Sequence, residues 1–133
     1  MPFTHKISQI TSYIVNNKEN ISYSLNDSQT SGAEANISES ITNGTDQLVA
    51  YEMDISQLKT FVIWSSGGDM TVETNSSSAP DDTFNLTDGV PVFWSANMQG
   101  SPAIPLSADI TALYVTNTGT ATLEVRALFD PTV

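Results

Sequence analysis

Apolar and polar positions alternate along most of this chain, and each run of alternation is short. Ile21-Ser22-Tyr23-Ser24-Leu25 steps apolar, polar, apolar, the period-two signature of a strand with one covered face. Residues 36–41 read as a weaker strand, and 47–53 (QLVAYEM) as a good one, apolar on both faces near its middle. In residues 70–74, Met70, Val72 and Thr74 fall on one face, and 83–86 form a further short strand. Residues 60–65 (TFVIWS) are apolar without interruption, a pattern suited to a strand covered on both faces. Residues 90–94 contain Pro91, which has no amide proton for a ladder, so this strand lies at an edge or begins just after Pro91. Residues 112–117 and 122–129 close the series. In the last run Leu123, Val125, Ala127 and Phe129 share one face, and Thr122, Glu124, Arg126 and Leu128 share the other.

Turn chemistry separates these runs. Residues 26–34 are rich in Asn, Asp, Ser, Thr and Gly and read as a loop. Asn43-Gly44 is a hairpin-type pair, since both residues tolerate positive φ. Asp54 or Ser56 caps one turn of helix, and Ser66-Gly67-Gly68-Asp69 makes a turn. Residues 75–82 form a loop around Pro80, Thr87-Asp88-Gly89 is tight, 95–105 are irregular, 108–111 make a brief turn, Thr118-Gly119-Thr120 reads as a hairpin turn, and Asp130-Pro131 stops the last strand. Residues 1–20 read three ways. Ile7, Ile10 and Ile14 have helical spacing, while Tyr13, Ile14 and Val15 favour a strand, so the stretch is a short helix, an edge strand or an arm.

Eight or nine short antiparallel strands between turn signals predict an all-β fold, a single-domain β-sandwich or jelly roll. No fixed repeat and no Pro/Gly-rich linker divides the chain. The expected organisation is an N-terminal arm or edge strand over residues 1–20 and a β-sandwich domain over 21–133.

Composition agrees with this pattern. Ser, Thr and Asn supply the polarity, only 14% of the 133 residues are charged, and Lys and Arg, which long helices use, number four. A chain of this length buries roughly two-thirds of its unfolded surface, so a core forms without staples. None is available, because there is no cysteine. Fifteen acidic residues against four basic ones give a formal charge of −11. Lys6, Lys18, Lys59 and Arg126 are scattered, so no basic stripe exists to neutralise phosphates, and neither nucleic acid nor an anionic membrane is an expected partner. The start of the chain shows no apolar run behind a basic region, and no window reaches 18 apolar residues, so synthesis in a host cytoplasm without a signal peptide is the expectation.

Candidate chemistry is sparse. A serine nucleophile needs a base, and the single histidine, His5, lies near the chain start, away from any nucleophile motif. Gly-x-Ser-x-Gly, a P-loop and Gly-x-Gly-x-x-Gly are missing. Asp81-Asp82 with Asp88 reads first as turn residues, with a calcium loop or a hydrolase acid pair as alternatives. Trp64 and Trp94 each end a β-run, and read first as core or subunit-interface residues. Two aromatics on one sandwich face are otherwise a sugar-stacking platform. The expectation is no enzyme, no metal and no cofactor.

Several segments resemble small virion structural proteins of tailed bacteriophages: Ile21-Ser22-Tyr23-Ser24-Leu25, Ile55-Ser56-Gln57-Leu58-Lys59, Glu73-Thr74-Asn75, Ala79-Pro80-Asp81-Asp82-Thr83, Ala108 through Asn117, and Ala121 through Asp130. The resemblance spans about residues 21–130 and consists of strand and turn motifs, not catalytic signatures. It implies a β-sandwich component of the capsid surface, a head decoration or cement protein that binds major capsid protein and copies of itself. A carbohydrate- or receptor-binding module and a neck or tail accessory protein are the alternatives. Residues 1–20 fall outside the resemblance. There Phe3, His5, Lys6 and Ile7 are candidate capsid or subunit contacts, one of few cations with apolar anchors beside it.

Overall fold

A computed structural model describes residues 3–15, 18–31, 33–96 and 103–132; within 3–31 it describes the backbone and the exposed side chains of Thr4 and Lys6. Ten strands follow in order: β1 (Phe3–Val15), β2 (Lys18–Ser31), β3 (Ala33–Ile41), β4 (Gly44–Val49), β5 (Leu58–Ser66), β6 (Met70–Thr74), β7 (Thr83–Leu86), β8 (Val92–Ser95), β9 (Leu113–Asn117) and β10 (Ala121–Phe129). One 3₁₀ turn, Ile55–Gln57, precedes β5, and the Asp54 carboxylate caps it by accepting from the Ser56 amide.

β3 to β10 form two four-stranded antiparallel sheets, ordered β3-β10-β5-β8 and β4-β9-β6-β7. Counted from β3, the orders are 1-8-3-6 and 2-7-4-5. This is the double Greek key of a jelly roll, within the sandwich class that the strand pattern predicts. All but one of the connections from β3 onward pass from one sheet to the other, β6–β7 being the exception. Two turns therefore differ from the sequence reading. Asn43-Gly44 and Thr118-Gly119-Thr120 do not close hairpins; they bridge the sheets. Both bridges meet at Asn117, which is buried; its Nδ2 donates to the Ile41 carbonyl at 2.9 Å and its Oδ1 accepts from the Gly119 amide at 3.3 Å.

Alternation fills the space between the sheets. Phe61 and Ile63 of β5 and Leu123, Val125 and Ala127 of β10 face Met70, Val72, Phe84, Leu86, Leu113 and Val115 of the opposite sheet. Phe61 and Phe84 meet across the gap with ring centroids 6.1 Å apart at 44°. Each such side chain contributes about 1.5–3 kcal/mol when fully buried. β5 is not covered evenly on both faces, as its continuous apolar run had suggested: Val62 and Trp64 are only half-buried. The strand expected over 47–53 ends at Val49; Tyr51 and Met53 are buried beyond it, and Met53 makes a lone bridge to Ile110. Pro91 lies just before β8, which forms one edge of its sheet.

The largest departure lies ahead of the sandwich. Residues 26–31, read as loop, continue β2, and the Ile21–Leu25 strand belongs to β2 as well. β2 pairs with β1 from Phe3↔Ser31 to Val15↔Lys18 in a separate two-stranded sheet, with a register shift at Tyr13/Ile14. Residues 3–15, read as a short helix, an edge strand or an arm, form β1, whose partner is β2. At about 3.4 Å per residue a strand this long runs on the order of 45 Å, against about 30 Å for β10.

The base of this hairpin is fixed by the chain, because Ala33 pairs with Phe129. β1 and β2 approach β10 there, and β2 approaches β5. On the outer face of that sheet Leu128 and its ladder neighbour Thr60 are buried, as is Ser95 beside Thr60. Further along the same face Val62, Phe93, Glu124 and Arg126 are half-buried and Ser38 is exposed. Among the described residues, full burial on this face is confined to that end.

Candidate binding face

The uncovered part of that outer face is built by register. Arg126 lies opposite Val62, and Glu124 opposite Trp64, so Arg126 and Trp64 are diagonal neighbours. The Arg126 guanidinium sits 5.6 Å from the Trp64 ring centroid, within cation–π range. Its Nη2 donates to Glu124 Oε2 at 2.7 Å, and its Nη1 donates to the Ile37 and Val125 carbonyls at 2.7 and 2.9 Å. Glu124 Oε1 accepts from Ser38 Oγ at 2.8 Å. Three hydrogen-bond partners thus hold the Arg126 charge over the indole.

Beside the indole a shallow cavity of about 260 Å³ is lined by Val62, Trp64, Gly89 and Pro91. Gly89 has φ 74°, which closes the tight turn after Asp88, and its amide donates to the Ser65 carbonyl at 2.8 Å. Asp88 accepts from the Gly67 amide and Asp69 from the Asp88 amide, both at 2.8 Å. The adjoining Val90 is 57% exposed. The cleft has apolar walls with one ion pair at its border, an arrangement for contact.

Trp64 and Trp94 are not brought together. Trp94 pairs with Phe61, an inward position, and packs against the core, whereas Trp64 lies outward on the neighbouring strand. Nor are the three aspartates gathered. Asp81 and Asp82 precede β7 and Asp88 follows it. At their end Asn75, at φ 69°, joins two loops: its Nδ2 donates to Asp81 Oδ2 and the Asp109 carbonyl, and its Oδ1 accepts from the Thr111 amide. Asp82 Oδ2 accepts from the Ser107 amide and Asp109 Oδ1 from the Ile55 amide. These carboxylates spend oxygens on backbone amides, as turn aspartates do. Among the described residues no three His, Cys, Asp or Glu side chains converge on a metal-sized site.

A second cleft of about 280 Å³ on the opposite sheet is lined by Asp69, Met70, Thr71, Asn85, Leu86, Thr87, Thr116 and Thr118. Apart from Asp69 these side chains do not titrate. Among the described residues, Tyr51 is the titrating group shifted furthest: burial pushes its phenol far above the ordinary value, and its hydroxyl donates to the Ala35 carbonyl at 2.9 Å. It is a structural tie within the core.

Of the arm candidates, Lys6 is exposed, whereas the side chains of Phe3, His5 and Ile7 lie outside the described ones. All four positions fall in β1 near the hairpin base. Sequence reading passed over Arg126 and Glu124 as site residues. Their shared outer face was legible in residues 122–129, but only the β5–β10 register sets them over Trp64.

Comparison with known protein families, with curated proteins and with solved structures gives no match to this chain.

Proposed function

We propose that this chain is a virion structural protein of a tailed bacteriophage, a decoration or cement protein on the capsid surface that binds major capsid subunits and copies of itself. The supporting observation is a jelly roll of the kind found in viral capsid and lectin domains, carrying a long hairpin that neither of its sheets incorporates. A two-stranded ribbon is marginal in water by itself, so one this long serves a contact. The strand and turn segments that resemble phage virion proteins point the same way, as does a half-apolar outer face.

The test is addition of the purified chain to heads lacking it, followed by sedimentation and thermal disruption. Saturable co-sedimentation with a raised disruption temperature is expected. Deletion of residues 1–6 should lower occupancy; unchanged occupancy removes Phe3, His5 and Lys6 from the contact. Binding only to necks or tails would move the protein elsewhere on the particle.

One observation favours a second reading, a glycan- or receptor-binding module: the Trp64 indole edges an open cleft with Val62 and Pro91. Glycan-array signals lost on Trp64→Ala and kept on Trp94→Phe would support it.

A further inference from the structure

The pairing register of the hairpin sorts its residues into two unlike faces. Ile7, Gln9, Thr11 and Tyr13 stand opposite Asp27, Leu25, Tyr23 and Ile21, and alternation puts these positions on one face. The other face takes Lys6, Ser8, Ile10 and Ser12 opposite Ser28, Asn26, Ser24 and Ser22. The first face therefore gathers Ile7, Tyr13, Ile21, Tyr23 and Leu25, while the second is almost wholly Ser, Asn and Lys. Such a sorting is the mark of a sheet with one covered face, yet a lone two-stranded ribbon has no second layer to cover it. The hairpin strands pair with each other along their length and approach the sandwich chiefly at β10 and β5, next to the hairpin base.

Charge indicates what supplies that layer. Lys6 and Lys18 balance Glu19 and Asp27, so residues 1–32 carry no net charge. Residues 33–133 hold thirteen acidic side chains against Lys59 and Arg126, the full −11. Two sandwiches repel one another, and the hairpin is the part of the molecule by which two copies can approach without that repulsion.

We propose that the Ile7–Tyr13–Ile21–Tyr23–Leu25 face of the hairpin is the self-association surface of this protein, packing on the same face of a second copy. The proposal rests on the self-association half of the function proposed above and is independent of the capsid half. A face about 45 Å long and about 10 Å wide offers on the order of 450 Å² per copy, or about 900 Å² for a pair. That is less than the 1,200–2,000 Å² of stable interfaces, so the association is weak and is reinforced when copies are held side by side.

Light scattering and sedimentation equilibrium on the full chain test this, from about 5 to 300 µM. The wild-type mass should rise above the monomer value with concentration, and rise further from 0.05 to 0.5 M NaCl as sandwich repulsion is screened. Tyr23→Ser with Leu25→Ser should stay monomeric across the range with an unchanged thermal transition of the sandwich. Ser22→Asp with Ser24→Asp, on the opposite face, should still associate. A wild type that remains monomeric at 300 µM, a doubly substituted Tyr23/Leu25 variant of undiminished mass, or an association that weakens with salt overturns the proposal. Head binding, scored separately by co-sedimentation, can fail or succeed without bearing on these masses.

Discussion

Leu128 carries the sharpest prediction. Its ladder position beside Thr60 and Glu34 places it on the outer face of the β3-β10-β5-β8 sheet, yet it is completely buried and does not join the core cluster between the sheets. β1 and β2 approach β10 from outside its sheet. If the hairpin base buries this side chain, Leu128→Ala in the full chain should cost about 2–5 kcal/mol, the range for a buried leucine whose neighbours relax only in part. Taking about 3 kcal/mol for a domain of this size, the melting temperature falls by roughly 10 °C. The decisive measurement is a double-mutant cycle with a chain that begins at residue 33, using urea unfolding followed by tryptophan fluorescence. There Leu128 is already in water, and the same substitution should cost under about 1 kcal/mol, leaving a coupling of about 2 kcal/mol. Equal costs in both backgrounds would refute the reasoning and mean that the sandwich buries Leu128 unaided.

Three further outcomes follow from the same physics. Ser65 Oγ is buried on the inward face of β5 without a hydrogen-bond partner, so Ser65→Ala should raise stability by about 1 kcal/mol, visible as a higher urea midpoint at constant slope. At Asn75 both the left-handed backbone and the loop-joining hydrogen bonds matter; Asn75→Gly loses only the bonds, and Asn75→Ala adds about 1 kcal/mol of backbone strain, so Ala should be the worse substitution in thermal melts. The Tyr51 phenol is held above its ordinary value in the fold, so its contribution is complete below about pH 10 and is lost as pH rises from there, at about 1.4 kcal/mol per pH unit. Tyr51→Phe should remove that part of the alkaline slope; the exposed Asp54 and the partly exposed Asp130, held low chiefly by Ser56 and Thr132 hydroxyls, act oppositely and weaken the fold as pH drops below about 4.

Period-two alternation was enough to read strands such as β6 and β10 from the sequence, because a strand that buries one face in a two-layer fold shows it locally. Met70, Val72 and Thr74, or Leu123, Val125 and Ala127, declare their face within a few residues, and Pro91 declares where β8 begins. Partners are not local. Asn43-Gly44 has the chemistry of a hairpin and serves instead to cross between sheets, because the hydrogen-bond partner of β3 is β10, some eighty residues away. Residues 26–31 look like a loop since no apolar side chain marks them, but pairing with β1 extends the ladder through them. Trp64 and Trp94 look alike in sequence; pleat and register send one outward beneath Arg126 and the other toward the core. The sequence by itself determined an acidic, cysteine-free chain of short strands and turns. Tertiary structure decided the jelly-roll order, the separate hairpin and the composition of the exposed face, because each depends on which distant strand supplies the next row of hydrogen bonds.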